Sequence, residues 1–135
     1  MLRSKIPSVV VATVSRDGEP NTTPVHLIYA KDRKTILMAM ALQHQGTANI
    51  KENGKVMICM CEENDINVSV SGTARMIREP MGCNKAMCII KVDVESIKDD
   101  STHSETTCGI RYRCVTEKGE MFIREVFAEL ESCDH

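Results

Sequence analysis

The chain has 135 residues, a formal net charge of −2, and 42% hydrophobic against 27% charged residues. That size and balance suit one globular domain with its own core, and they give no global basic field for nucleic acid or an anionic membrane. Aromatic residues are 3%, with no Trp, so the core must come from Val, Ile, Leu, Ala and the nine Met, and base-stacking platforms are excluded.

Seven Cys form an odd set without the spacing of a secreted framework, which points to a reducing, cytoplasmic setting. No apolar run is long enough to span a bilayer. The start, residues 1–5 followed by the apolar run 9–14, resembles a secretory signal only superficially. It flows into Arg16-Asp17-Gly18 with no small-residue cleavage site, and the run reads as a strand.

Residues 8–15 are rich in β-branched side chains and predict a buried strand. Asp17-Gly18 supplies the positive φ of a tight turn. A second strand is expected over 21–30, with Pro24 placing it at a sheet edge or bulge because proline donates no ladder hydrogen bond. The charged loop 31–34 leads to a third strand over 35–42. A short helix follows over 47–52, stopped by Asn53-Gly54. The fourth strand covers 55–62 and the fifth 66–77, where Ile66, Val68 and Val70 alternate with Asn67, Ser69 and Ser71. Pro80 opens a short helix to about residue 88, and a sixth strand spans 89–97. Residues 98–107 form a polar loop, 108–116 read as a strand and 117–120 as a turn. In 121–131, Ile123, Val126, Phe127 and Leu130 lie at helical spacing, which predicts a C-terminal amphipathic helix.

The chemistry concentrates in residues 36–49, ILMAMALQHQGTAN. A charge-free strand there ends in polar residues, a Gly and a helix start, where unpaired backbone N–H groups can receive a phosphate. Cys59 and Cys61 share a strand face, and Cys108, Cys114, His103, Cys133 and His135 are further potential ligands. No tight pairs of Cys or His on turns support a zinc site, so no metal is expected. Small-hydrophobe packing explains buried Cys better. No serine sits on a nucleophile elbow, and no G-x-G-x-x-G fingerprint is present.

Four segments in order, VVVATVSRDGEPNTTPVHLIYA, TILMAMALQHQGTANIKENGKVMICM, VSVSGTARMI and AMCIIKVDVESI, resemble the FMN-binding split-barrel family, the pyridoxamine 5′-phosphate oxidase-like proteins. The resemblance runs from about residue 9 to 99. It implies a mainly β fold, a six-stranded antiparallel Greek-key split barrel with a few short helices. It places the barrel core over 8–99 and leaves 100–135 as an extension that matches nothing recognised.

The resemblance further implies a cytoplasmic homodimer with FMN between the subunits. FMN would be bordered by Pro24, Val25 and His26 and by Met40, Ala41, Leu42, Gln43, His44, Gln45 and Gly46, with Thr47 and Asn49 at the helix start. His26 either faces the ring or points outward. Relatives commonly carry Arg or Lys in this turn, where this chain has Gln45 and Gly46. The phosphate would then rest on backbone N–H groups, His44 and Thr47, or on Lys51, Lys55, Arg78 or Lys85. The Arg-rich C-terminal signature of true pyridoxamine-phosphate oxidases is absent. The expected function is therefore FMN-dependent electron or hydride transfer with no side chain named as catalytic, and NADH or NADPH as a possible donor. The alternative is a non-catalytic module that holds flavin or haem.

Overall fold

A computed structural model of the protein describes residues 4–5 and 8–133. Eight strands and two helices follow one another: β1 (Ser4–Lys5), β2 (Val9–Val14), β3 (Pro20–Val25), β4 (Ile28–Ala30), β5 (Thr35–Ala41), α1 (Gln45–Glu52), β6 (Lys55–Glu62), β7 (Ile66–Arg78), β8 (Met87–Asp99) and α2 (Glu117–Ser132). The strands form one antiparallel sheet in the order β1-β4-β5-β8-β7-β6-β2-β3.

The sheet is rolled. Val9, Val11 and Val25 come from one end of the strand order and Ile28, Ile36 and Met38 from the other, yet all share one interior with Ile58, Val70, Ile90 and Val92. Each such side chain, once fully buried, contributes about 1.5–3 kcal/mol. Two register shifts between β7 and β8, at Ser71/Gly72 and Met76/Arg78, bend the long hairpin. Gly72 is required at the first, because a Cβ there would collide with the Asp93 carbonyl oxygen. His26 and Leu27 alone separate the end of β3 from the start of β4, and the Leu27 carbonyl accepts from the Ala39 amide at 2.9 Å. The barrel is thus open as a hydrogen-bonded ladder but closed by the chain along a seam, which is the split barrel expected from the sequence.

The charge-free sequence of β5 has a direct cause. Ile36, Met38 and Met40 face the interior, while Leu37 and Ala39 face outward and are covered by Val126, Phe127 and Leu130 of α2, so both faces are buried. α2 starts at Thr116, whose hydroxyl accepts from the Gly119 amide at 3.0 Å.

Several expectations need correction. The single strand over 21–30 is two strands, because the chain changes sheet edge at His26-Leu27, and with β1 this makes eight strands rather than six. Pro24 does lie on an edge strand. Residues 80–86 form turns instead of a helix. The Glu129 carboxylate accepts from the Gly82 and Cys83 amides at 2.8 and 2.7 Å and so satisfies donors a helix would have used. Residues 108–116 form no strand: their alternation finds no partner ladder, and side-chain contacts hold them. The proposed turn 117–120 is the first turn of α2, and α1 begins at Gln45 rather than Thr47. The signal-like start at residues 1–3 and the C-terminal Asp134 and His135 lie outside the described residues.

Candidate functional site

The site grows from the turn between β5 and α1. His44 caps α1 with an extended backbone, and its Nδ1 accepts from the Gly46 amide at 3.0 Å. Nδ1 therefore carries no proton, and in the neutral ring Nε2–H donates to Thr23 Oγ1 on β3, 3.1 Å away. Gly46 leaves room for its neighbours: a Cβ would meet Met40 Cε at 2.9 Å and His44 Nδ1 at 3.2 Å, so both would have to shift. The hydroxyl of Thr47, fully buried, donates to the Ala41 carbonyl at 2.7 Å. Asn49 donates to Thr13 Oγ1 at 2.9 Å and accepts from Gln45 Nε2 at 2.8 Å. These bonds root α1 on β2 and β5. Among the described residues no acceptor takes the amides of Gln45 or Thr47, so the helix start keeps two free donors.

Beside this turn lies a cavity of about 230 Å³ at the barrel seam. Thr23, Pro24, Val25, His26 and Leu27 form one side, Ala39, Met40, Ala41 and His44 the other, and Met87 with Phe122 of α2 complete it. Of the expected site residues, Pro24, Val25, His26, Met40, Ala41 and His44 meet here. Leu42 instead packs on the inner core, Gln43 and Gln45 are exposed, and Gly46, Thr47 and Asn49 are buried in the root of α1. Among the described residues no Lys or Arg lines the cavity. Lys51 pairs with Glu79 at 2.5 Å and Arg78 with Glu129 at 3.0 Å, while Lys55 and Lys85 are exposed away from the lining.

His26 lines the cavity while half-buried, and burial lowers its pKa, which favours the neutral ring. Its ring lies 4.5 Å, centroid to centroid, from that of Tyr112, at an interplanar angle of 43°. Tyr112 belongs to the irregular segment before α2. Beside it Arg111 clamps Glu62 at the end of β6, with Nη1 donating to Oε2 at 3.0 Å and Nη2 to Oε1 at 2.7 Å. These hydrogen bonds hold the Glu62 carboxyl below its ordinary range. Sequence reasoning missed Thr23, Leu27, Ala39, Met87, Phe122 and the Tyr112 contact. Met87 adjoins the site only because β8 pairs with β5, Ala41 opposite Met87, and nothing local signals Tyr112 or Phe122.

The cysteines are free thiols: Cys59, Cys61, Cys108 and Cys114 are exposed, and Cys88 and Cys133 are buried. Among the described residues no group of three or more His, Cys, Asp or Glu could hold a metal ion, and no helix is long and apolar enough to cross a membrane.

A rolled antiparallel sheet with a cleft at its seam defines a split-barrel protein. The sequence profile of pyridoxamine 5′-phosphate oxidase matches residues 2–99, and the chain belongs to that family. Among solved structures it is similar to HupZ of Group A Streptococcus, at 26% identity and a TM-score of 0.62, covering 76% of this chain and 90% of that one. An FMN-binding protein from Syntrophomonas wolfei shares the fold at 18% identity and a TM-score of 0.59, covering 74% and 81%. HutZ, the haem storage protein from Vibrio cholerae, does so at 12% and 0.57, covering 68% and 84%. No curated protein sequence matches the chain.

Proposed function

We propose that the chain is an FMN-binding flavoprotein that transfers electrons or hydride and works as a homodimer in the cytoplasm, without the pyridoxamine-phosphate oxidase reaction. The seam cavity carries this reading: apolar walls from β3 and β5 suit one edge of a planar ring, and the unpaired amide of the exposed Gln45 at the start of α1 suits a phosphate. The residues fit the ring end well. Among the described residues they offer the phosphate only backbone donors, because Thr47 Oγ1 is committed to Ala41 and no Lys or Arg lines the cleft. When bound, FMN would supply the redox chemistry. Pro24, Val25, Met40 and Ala41 would orient the ring and exclude water. About 230 Å³ is less than the roughly 300–1,000 Å³ that enclose a drug-sized ligand, which supports a second subunit covering the rest. NADH or NADPH is the donor class we would test first.

One observation favours a second reading, a haem-holding module on the same fold: the half-buried His26 imidazole lines the cleft, burial lowers its pKa, and neutral imidazole ligates iron. Absorbance spectra of the purified protein, taken after adding FMN or haemin and desalting, test both. Retained flavin bands, followed by bleaching with NADH or NADPH, support the flavoprotein. A Soret band with no flavin retention supports the second reading. Retention of neither overturns both. Light scattering at several concentrations checks the dimer, and a monomer under all conditions refutes that part.

A further inference from the structure

We propose that residues 100–116 form a positioning strap for the seam cavity, in which Tyr112 sets the His26 imidazole and the Arg111–Glu62 pair holds Tyr112 in place. The segment has no regular secondary structure, and nearly every residue in it is exposed, so apolar burial does not explain its order. Polar contacts fix it instead. The Thr106 carbonyl accepts from the Asp65 amide at 3.1 Å, the Thr106 amide donates to Asp65 Oδ1 at 3.0 Å, and its hydroxyl donates to Asn67 Oδ1 at 2.7 Å. Gly109 lies so close to β6 that a Cβ would collide with the Cys61 carbonyl oxygen. Arg111 then grips a carboxylate whose residue is only 8% exposed. Such specific anchoring of a chain that buries so little is accounted for by what it delivers, a half-exposed Tyr112 ring against His26 at the cavity wall.

The occupant of the cavity does not enter this inference, which therefore stands or falls apart from the FMN reading. Among the described residues, the titratable and charged groups that face His26 or its Tyr112 partner are His44, which shares the cavity, and Arg111, Glu62 and Glu63, which share a cleft with Tyr112. α2 contributes only the uncharged Phe122 to the lining.

The test follows the His26 imidazole by NMR titration in the ligand-free protein. Removing the ring with Tyr112→Ala lets water reach His26, so its pKa should rise towards the ordinary value. Tyr112→Phe keeps the ring and should leave the titration in place. Arg111→Ala and Glu62→Gln both free the strap, yet they change local charge in opposite senses. Loss of the cation raises the His26 pKa electrostatically and loss of the carboxylate lowers it. An upward move in both isolates position from charge. An unmoved His26 in Tyr112→Ala, a Tyr112→Phe as large as Tyr112→Ala, or opposite shifts in the two strap variants would each overturn the proposal. Should Arg111→Ala fail to fold, Arg111→Lys replaces it, with an intermediate rise expected and no change counting against.

Discussion

Replacing Glu129 with Gln should loosen the whole outer layer of the protein. Burial disfavours the ionised carboxylate, but the Gly82 amide, the Arg78 guanidinium, the Cys83 amide and the Cys83 thiol together outweigh it and hold its pKa at about 2, against an ordinary 4.5. At about 1.4 kcal/mol per pH unit that gap amounts to ~3 kcal/mol. Because the Arg78 side chain is 37% exposed, solvent screening reduces the expected loss to about 2 kcal/mol. The mechanism is specific. Oε2 serves both Arg78 and Gly82 while Oε1 serves Cys83, and an amide nitrogen in place of either oxygen turns a donor against a donor. A folded-state pKa below the unfolded one stabilises fully above pH 4.5, and the benefit disappears as pH falls from there towards about 2. Urea unfolding of both proteins at pH 7 and at pH 3 measures it: the gap should be about 2 kcal/mol at pH 7 and shrink on acidification. An equal midpoint at pH 7, or a gap independent of pH, would refute the reasoning.

Three further outcomes are expected. Gln45→Lys, at an exposed position beside the free amides, should tighten FMN about fivefold at low ionic strength and lose the gain in salt, as read by flavin fluorescence titration. His44→Ala removes the α1 cap and the link to Thr23, and should cost about 1 kcal/mol in chemical unfolding, with much of it restored by Asn, which can still cap. Gly72→Ala drives a methyl group into the Asp93 carbonyl at a bulge and should cost about 2–3 kcal/mol or prevent folding, visible as a lowered melting temperature by circular dichroism.

Elements fixed by local periodicity were legible in the sequence. The β-branched run of β2 and the charge-free β5 each reflect which faces are buried, the alternation in β7 does so at Val70 but not at Ile66, which is exposed, and Asn53-Gly54 marks the end of α1 because Gly54 adopts a φ of +80°. The misreadings share a cause, which is control from far along the chain. Residues 80–86 follow Glu129, more than forty positions away, and residues 108–116 follow Glu62. Phe122 reaches the cavity only because α2 packs across β4 and β5. Half of the expected positions meet at one cavity because Pro24–His26 and Met40, Ala41 and His44 flank one seam. Thr47 and Asn49 tie α1 to the sheet instead, and a polar residue at a helix start looks the same from sequence whether it waits for a ligand or ties the helix down.

The two-residue passage from β3 to β4 has an evolutionary consequence. Strand registers constrain most positions of a barrel, since one altered residue in a ladder must still match its neighbour across the sheet. His26 and Leu27 lie between ladders: the Leu27 carbonyl accepts from Ala39 of β5 and its side chain is buried with Leu37 and Ala39, whereas the His26 side chain is only half-buried. The side chain at position 26 can be exchanged without renegotiating any strand pairing, although it borders the seam cavity directly. A lineage built on this barrel can therefore explore new occupants at the seam while inheriting its folding code unchanged.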